Sequence, residues 1–229
     1  MLQSYHSYAS KIDRVEKSIK LSESIDVHDV GDIELGRHKL VNLVTMCVDI
    51  RSSTMRSAKD SIENSVRMLN IFFPTVARVL ADSQAIIDKY PGDGVMAHYV
   101  LEQNGATRAI KASCMIRRLV DEAINPRLID NSLGRISCGI SIDAPGSETA
   151  LACVGVEEHM EIIAVGNSVN IAAKMEKHAK DNVIIGRDVY KCLPSDIQAV
   201  CTRGDSFDFQ YSSSGDPYPI YKVDWKALA

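Results

Sequence analysis

The chain has 229 residues, 45% of them hydrophobic and 24% charged, which fits one soluble domain able to bury a core without covalent staples. A net charge of −4 and a pI near 5.9 argue against bulk binding to nucleic acid or an anionic membrane, although a few local cations can still hold phosphate. The six cysteines form no C-x-x-C pair, so structural zinc is not expected and a reducing, cytoplasmic setting is. No export signal or membrane span is read from the sequence.

Residues 1–40 are polar and charged, with a weak helical pattern at Ile12, Val15 and Ile19. They read as a helical arm too short to bury a core of its own, preceding the main domain over 41–229. "LVNLVTMCVDI" (40–50) is a β-branched apolar run, expected as a strand buried on both faces. An amphipathic helix is expected over about 60–82, with Ile62, Val66, Leu69, Phe73, Val76 and Leu80 facing the core. A hairpin follows, "QAIIDKY" and "GVMAHYV" joined by Pro91-Gly92-Asp93-Gly94, and then a second helix over about 104–124. Strands are expected at 135–143 and 149–156. A strand, glycine turn and helix follow over 161–180, then a short strand at 182–186. The order β-α-β-β-α-β before residue 145 predicts an α+β fold with a ferredoxin-like core and C-terminal additions.

Three stretches carry chemistry. Asp49 closes the first buried strand, and Arg51, Ser52, Ser53 and Thr54 after it offer amides, a guanidinium and hydroxyls suited to phosphate oxygens. In a ferredoxin-like sheet the first strand lies beside the hairpin, so Asp49 and Asp93 can face each other. Two close carboxylates repel unless a cation lies between them, and Mg²⁺ or Mn²⁺ with a substrate phosphate fits. The plainer alternative makes Asp49 a helix cap and Asp93 a turn residue. Asn170 and Lys174 lie i, i+4 on one helix face, suited to charge developing on a phosphate, or simply to solvent.

The stretches "VDIRSST", "DKYPGDGVMA" and "VGNSVNIAAKMEKHA", in this order and spacing, resemble the catalytic domain of the class III nucleotidyl cyclases over about residues 41–192. The resemblance implies a head-to-tail homodimer with two interfacial active sites. In each, Asp49 and Asp93, with the carbonyl of Ile50, would hold two Mg²⁺ or Mn²⁺ ions. Across the interface Asn170 would orient the ribose, Lys174 would stabilise the transferring phosphate, and Lys89 would face the base. The implied reaction is attack of the ribose 3′-hydroxyl on the α-phosphorus of a nucleoside triphosphate, expelling pyrophosphate.

Three departures stand out. Lysine replaces the family's usual arginine at 174, keeping the charge but losing the two-pronged fork. Ile163 stands where adenylate cyclases place a base-reading aspartate, and isoleucine offers no hydrogen bond. A small slip in matching the motif would put Ile162 or Glu161 there instead. Asp143 replaces the second glycine of a G-x-x-x-G pattern, predicting a narrower and differently polar pocket wall. With these departures the chain resembles the Pycsar pyrimidine cyclases of bacterial anti-phage defence, which make cyclic UMP or cyclic CMP, so UTP or CTP is the expected substrate. The alternatives are an adenylate or guanylate cyclase, or a degenerate cyclase domain that binds nucleotide and regulates. A GGDEF or polymerase-like relative is disfavoured because no G-G-[DE]-E-F string occurs.

Overall fold

The computed structural model describes residue 33 and residues 35–51, 60–204, 207–210 and 217–228. The arm read over 1–40 therefore lies outside the described residues except near its end, where His38–Leu40 is a strand, β1, rather than helix. The first long strand, β2 (Leu43–Ile50), runs through the centre of the molecule, with Val44, Met46, Val48 and Ile50 at most 1% exposed. Each such side chain contributes roughly 1.5–3 kcal/mol on burial.

Helix α1 (Ile62–Asp82) starts where Ser61 accepts a hydrogen bond from the Asn64 amide at 3.2 Å, a standard N-cap. Its buried stripe is Met68, Phe72, Val76 and Leu80, and this corrects the expected face, because Ile62 is 82% exposed and Val66 is 49% exposed. Adjacent Phe72 and Phe73 made two stripes compatible with the sequence. The core takes Phe72, and Phe73 instead packs edge-on against Tyr90 at 5.1 Å.

Strands β3 (Ile86–Lys89) and β4 (Gly94–Val100) form the hairpin. Helix α2 (Gly105–Leu119) then passes through a π turn at Val120–Ile124 into α3 (Asn125–Asp130), where a single helix to about 124 was expected. The extra residue in the turn keeps Val120, Ile124 and Leu128 all in the core. Strands β5 (Cys138–Asp143), β6 (Ala150–Val156) and β7 (His159–Val165) follow, then helix α4 (Asn167–Ala179) and strand β8 (Val183–Gly186). Short helices α5 (Arg187–Cys192) and α6 (Ser195–Gln198) lead to β9 (Cys201–Arg203), β10 (Phe207–Gln210), β11 (Pro217–Tyr218), β12 (Ile220–Val223) and a last helix, α7 (Trp225–Leu228).

The main sheet has the order β3-β4-β2-β5-β8-β12-β9. Its first four members, antiparallel throughout, are the ferredoxin-like core, and the β8, β12 and β9 strands are the C-terminal addition. A second, three-stranded sheet, β1-β6-β7, buries Leu151 with Leu43 and Val100. All six cysteines are free thiols. Among the described residues no helix is long and apolar enough to cross a membrane.

Asp143 lies in the core rather than on a pocket wall. It is fully buried, one oxygen accepts the Tyr218 hydroxyl at 2.8 Å, and the other has no partner among the described residues. It also occupies the room beside Gly186, where an added Cβ would sit 2.0 Å from its Oδ1. Burial pushes this carboxyl well above the usual range; the Tyr218 hydrogen bond opposes the shift and the Asp188 charge adds to it. A carboxyl raised by folding gives its full stability below the ordinary aspartate pKa and loses it as pH rises toward the folded value. Asp143→Asn removes this penalty. Urea unfolding is expected to show the variant equal to the wild type near the ordinary aspartate pKa and about 1–3 kcal/mol more stable at about pH 8. A gain that does not grow with pH would contradict the assignment.

Candidate functional site

Asp49 sits at the C-terminal end of β2, directly across from Gly94 on one side and Gly139 on the other. The Pro91–Gly94 turn closes with the Gly94 amide donating to the Pro91 carbonyl at 3.0 Å. Gly92 has φ +64°, a backbone that suits glycine at the first central position of a hairpin turn. Gly94 has a different reason for lacking a side chain, since a Cβ there would meet Val48 O at 2.9 Å and Asp49 Oδ1 at 3.2 Å. The two glycines together let the hairpin tip close over the end of β2. The result brings Asp93 against Asp49.

The electrostatics record that proximity. Burial raises the Asp49 carboxyl above its usual range, the Asp93 charge raises it further, and Arg51 pulls it back. Arg51 bonds Asp49 and also pairs with Glu176 of α4, a residue the sequence reading did not single out. Asp93 Oδ2 is buried and has no hydrogen-bond partner among the described residues. An orphaned carboxylate oxygen beside a second carboxylate that resists ionisation is the arrangement a hard cation would relieve. Among the described residues no group of three or more His, Cys, Asp or Glu side chains forms a cage. Two carboxylates and the Ile50 carbonyl leave further positions to water and phosphate, a donor set that fits Mg²⁺ or Mn²⁺ held jointly with a nucleotide. Ser52, Ser53 and Thr54, read as part of the phosphate cradle, lie outside the described residues.

Asn170 and Lys174 are both exposed on α4, on the face opposite the buried Ile171, Ala172, Met175 and Ala179. The helix lies along β2, with the Ser168 hydroxyl donating to the Leu43 carbonyl at 3.1 Å at one end and Glu176 on Arg51 at the other. Within one chain, Asn170 is therefore about 9 Å of helix rise from the Arg51–Asp49 end, and it faces solvent. The structure gathers Asp49, Ile50, Arg51 and Asp93 into one place and leaves Asn170 and Lys174 elsewhere.

Lys89 lies beside acids even though isoleucine stands at position 163, and one of them is Glu161, the residue a small slip in the motif match would put there. Its ammonium lies 3.9 Å from Glu161 and 3.5 Å from Asp88. A bulge between Ile87 and Lys89 breaks the strand alternation, which lets neighbouring Asp88 and Lys89 approach each other. Asp88 is held in turn by buried His98, whose Nε2 is 3.5 Å away and whose Nδ1 meets Thr45 Oγ1 at 3.1 Å. Burial pushes the Asp88 carboxyl up, but His98 and Lys89 together bring it below its usual range. Glu161 and Ile163 alternate along β7 and so share one face, pairing across to Val154 and Ala152.

No family model matches the chain. In sequence it is similar to an adenylate cyclase of Anabaena cylindrica, 25% identical over 199 residues, covering 83% of this chain and 39% of that protein. It is also similar to a uridylate cyclase of Xanthomonas perforans, 27% identical over 161 residues, covering 66% of this chain and 64% of that protein. The chain thus spans less than two thirds of the length of these curated relatives. In fold it superposes on the adenylyl cyclase CyaB from P. aeruginosa with a TM-score of 0.72 at 19% identity, covering 82% of this chain and 95% of that one. The guanylyl cyclase Cya2 gives 0.70 at 22% identity, covering 83% and 94%. In sequence and in fold, the chain is similar to the class III nucleotidyl cyclases.

Proposed function

We propose that the protein is a metal-dependent nucleotidyl cyclase that converts a nucleoside triphosphate to its 3′,5′-cyclic monophosphate and pyrophosphate, with UTP or CTP favoured. The observation that carries this reading is the neighbouring pair Asp49 and Asp93, with the buried Asp93 oxygen that has no partner among the described residues. When bound, Mg²⁺ or Mn²⁺ would supply the acidity that frees the ribose 3′-hydroxyl and the positive charge that balances the triphosphate. Asp49 and Asp93, with the Ile50 carbonyl, hold that charge in place. Arg51 keeps Asp49 from facing Asp93 uncompensated and lies within reach of a phosphate. Asn170 orients the ribose, and the Lys174 ammonium meets the charge that builds on the α-phosphate as the 3′-oxygen attacks and pyrophosphate leaves.

Asn170 and Lys174 are exposed on α4, where they are open to a second copy, and on this reading the complete site is assembled from two copies. The outer face of the β1-β6-β7 sheet supports a homodimer. It carries exposed Leu40, Val154, Val156 and Val165 beside Glu161 and Ile163, apolar area that a second copy would cover.

Lys89 and Glu161 are assigned to the base. An ammonium beside a carboxylate matches one acceptor next to one donor, the pattern of O4 and N3–H in uracil or of N3 and the amino group in cytosine. Ile163 on the same strand face takes up space without offering a hydrogen bond, which favours the smaller ring. The similarity to a uridylate cyclase agrees with this reading and the similarity to adenylate cyclases supports the alternative, cyclisation of ATP. On the pyrimidine reading the product is a cyclic UMP or cyclic CMP messenger of the Pycsar type, made in the cytoplasm and read by a separate effector.

Glu161→Gln is expected to change the ratio of kcat/KM between the preferred triphosphate and ATP by about tenfold, with the metal requirement unchanged. An unaltered ratio would place Glu161 outside the base pocket. The reading as a whole is tested by incubating the purified protein separately with ATP, GTP, CTP and UTP and Mn²⁺. Cyclic product from UTP or CTP is expected. Product from ATP alone would overturn the pyrimidine assignment, and no product from any would overturn the enzyme.

A further inference from the structure

On the far side of Cys138 from the aspartates, a cavity of about 660 Å³ opens between the end of α2, the residues after α4, and α7. Arg117, only 3% exposed, lines it. A buried guanidinium needs its five N–H groups met. Nη1 donates to the Cys138 carbonyl at 2.7 Å and to Asp181 at 2.6 Å. Nε is buried with no partner among the described residues, and no hydrogen bond from Nη2 is found there either. By covalent geometry Nε–H and one Nη2–H point the same way, forming the side-on edge that takes two oxygens of one carboxylate or phosphate. The guanidinium carbon stacks 5.3 Å from the Trp225 ring, which fixes its plane, and the Lys226 ammonium lies 5.5 Å from that ring.

The charges around the cavity are Arg117, Lys222 and Lys226 against Asp121, Asp181 and Asp224. Asp181 is engaged by Arg117, and Asp224 accepts the Lys226 amide at 3.2 Å at the start of α7. The two lysines then balance Asp121 and Asp224, so the lining is formally neutral and its capacity for an anion lies in the unmet Arg117 edge, with Thr202 and Asn182 as neutral hydrogen-bonding groups on the wall. We propose that this cavity binds a small oxyanion, a carboxylate or phosphate group held by the Nε–Nη2 edge of Arg117 and steadied by Lys222. The site uses none of the residues assigned to cyclisation, so it stands or falls apart from that reading.

Trp225 is the chain's single tryptophan, so its fluorescence reports on the cavity directly. Titrating the full chain with inorganic phosphate, and separately with acetate, against potassium chloride at matched ionic strength, is expected to give a saturable change with at least one of the two. Whichever saturates identifies the source of the oxyanion. Arg117→Lys keeps the charge but lacks the fork and is expected to abolish saturation. Lys222→Glu, at an exposed position and with its folding checked by circular dichroism, is expected to weaken binding about tenfold. Absence of saturation with both anions, or undiminished binding in folded Lys222→Glu, would overturn the proposal.

Discussion

Replacing Asp49 or Asp93 with alanine is expected to lower kcat by about a thousandfold or more, because either loss removes half of the carboxylate set that holds the metal charge. The same substitutions are expected to leave the protein folded. Burial and the neighbouring Asp93 already hold the Asp49 carboxyl above its usual range, so its charge is a burden in the folded state. Its removal also leaves Arg51 still paired with Glu176. Thermal unfolding of Asp49→Ala is therefore expected within about 1 kcal/mol of the wild type or on the more stable side, the trade between activity and stability seen at functional sites. Activity retained by Asp49→Ala would remove the metal assignment. A large loss of stability would recast the aspartates as structural.

The second large effect is expected across the dimer. Asn170→Ala or Lys174→Ala is expected to cost about a hundredfold to a thousandfold in kcat, the scale for removing one preorganised partner of transition-state charge. Both side chains are exposed and α4 is anchored by its other face, so neither change should shift stability by more than about 0.5 kcal/mol. Lys174→Arg is the informative control. It restores a planar fork at the position and is expected to retain or raise kcat, whereas a lysine that merely faces solvent would make both substitutions silent.

The parts of the fold that were legible in the sequence are those whose burial is written locally. β2 announced itself as an apolar β-branched run, and the hairpin through its Pro-Gly-Asp-Gly tip. The face of α1 was partly misread because consecutive phenylalanines satisfy two helical stripes, and only the sheet beneath decides between them. β1 reads His-Lys-Leu and has no strand character of its own; it exists because β6 offers an open edge. The π turn after α2 was equally invisible, since one added residue leaves the apolar spacing almost unchanged.

The site followed the same rule. Asp49 and Asp93 could be paired because a known sheet order places a strand end against a hairpin tip. Glu176 on Arg51 and Glu161 on Lys89 are contacts across 125 and 72 residues that no local pattern encodes (176 less 51, and 161 less 89). The bulge beside Asp88, which lets Asp88 approach Lys89, was again unreadable in the sequence. Arg117 carried a faint signal, a charged residue within a helix face otherwise lined by Ala109, Ala112 and Ile116.

The most direct test of the central claim, a cyclisation site shared between two copies, is to mix two inactive variants. Asp49→Ala and Asn170→Ala proteins, each expected to be nearly silent alone, are combined in equal amounts, allowed to exchange subunits, and assayed for cyclic nucleotide with Mn²⁺. Random pairing makes about half the dimers mixed, each with one intact site of two, so about a quarter of wild-type activity is expected to return. A mixture no more active than its components, with exchange verified, would contradict the account.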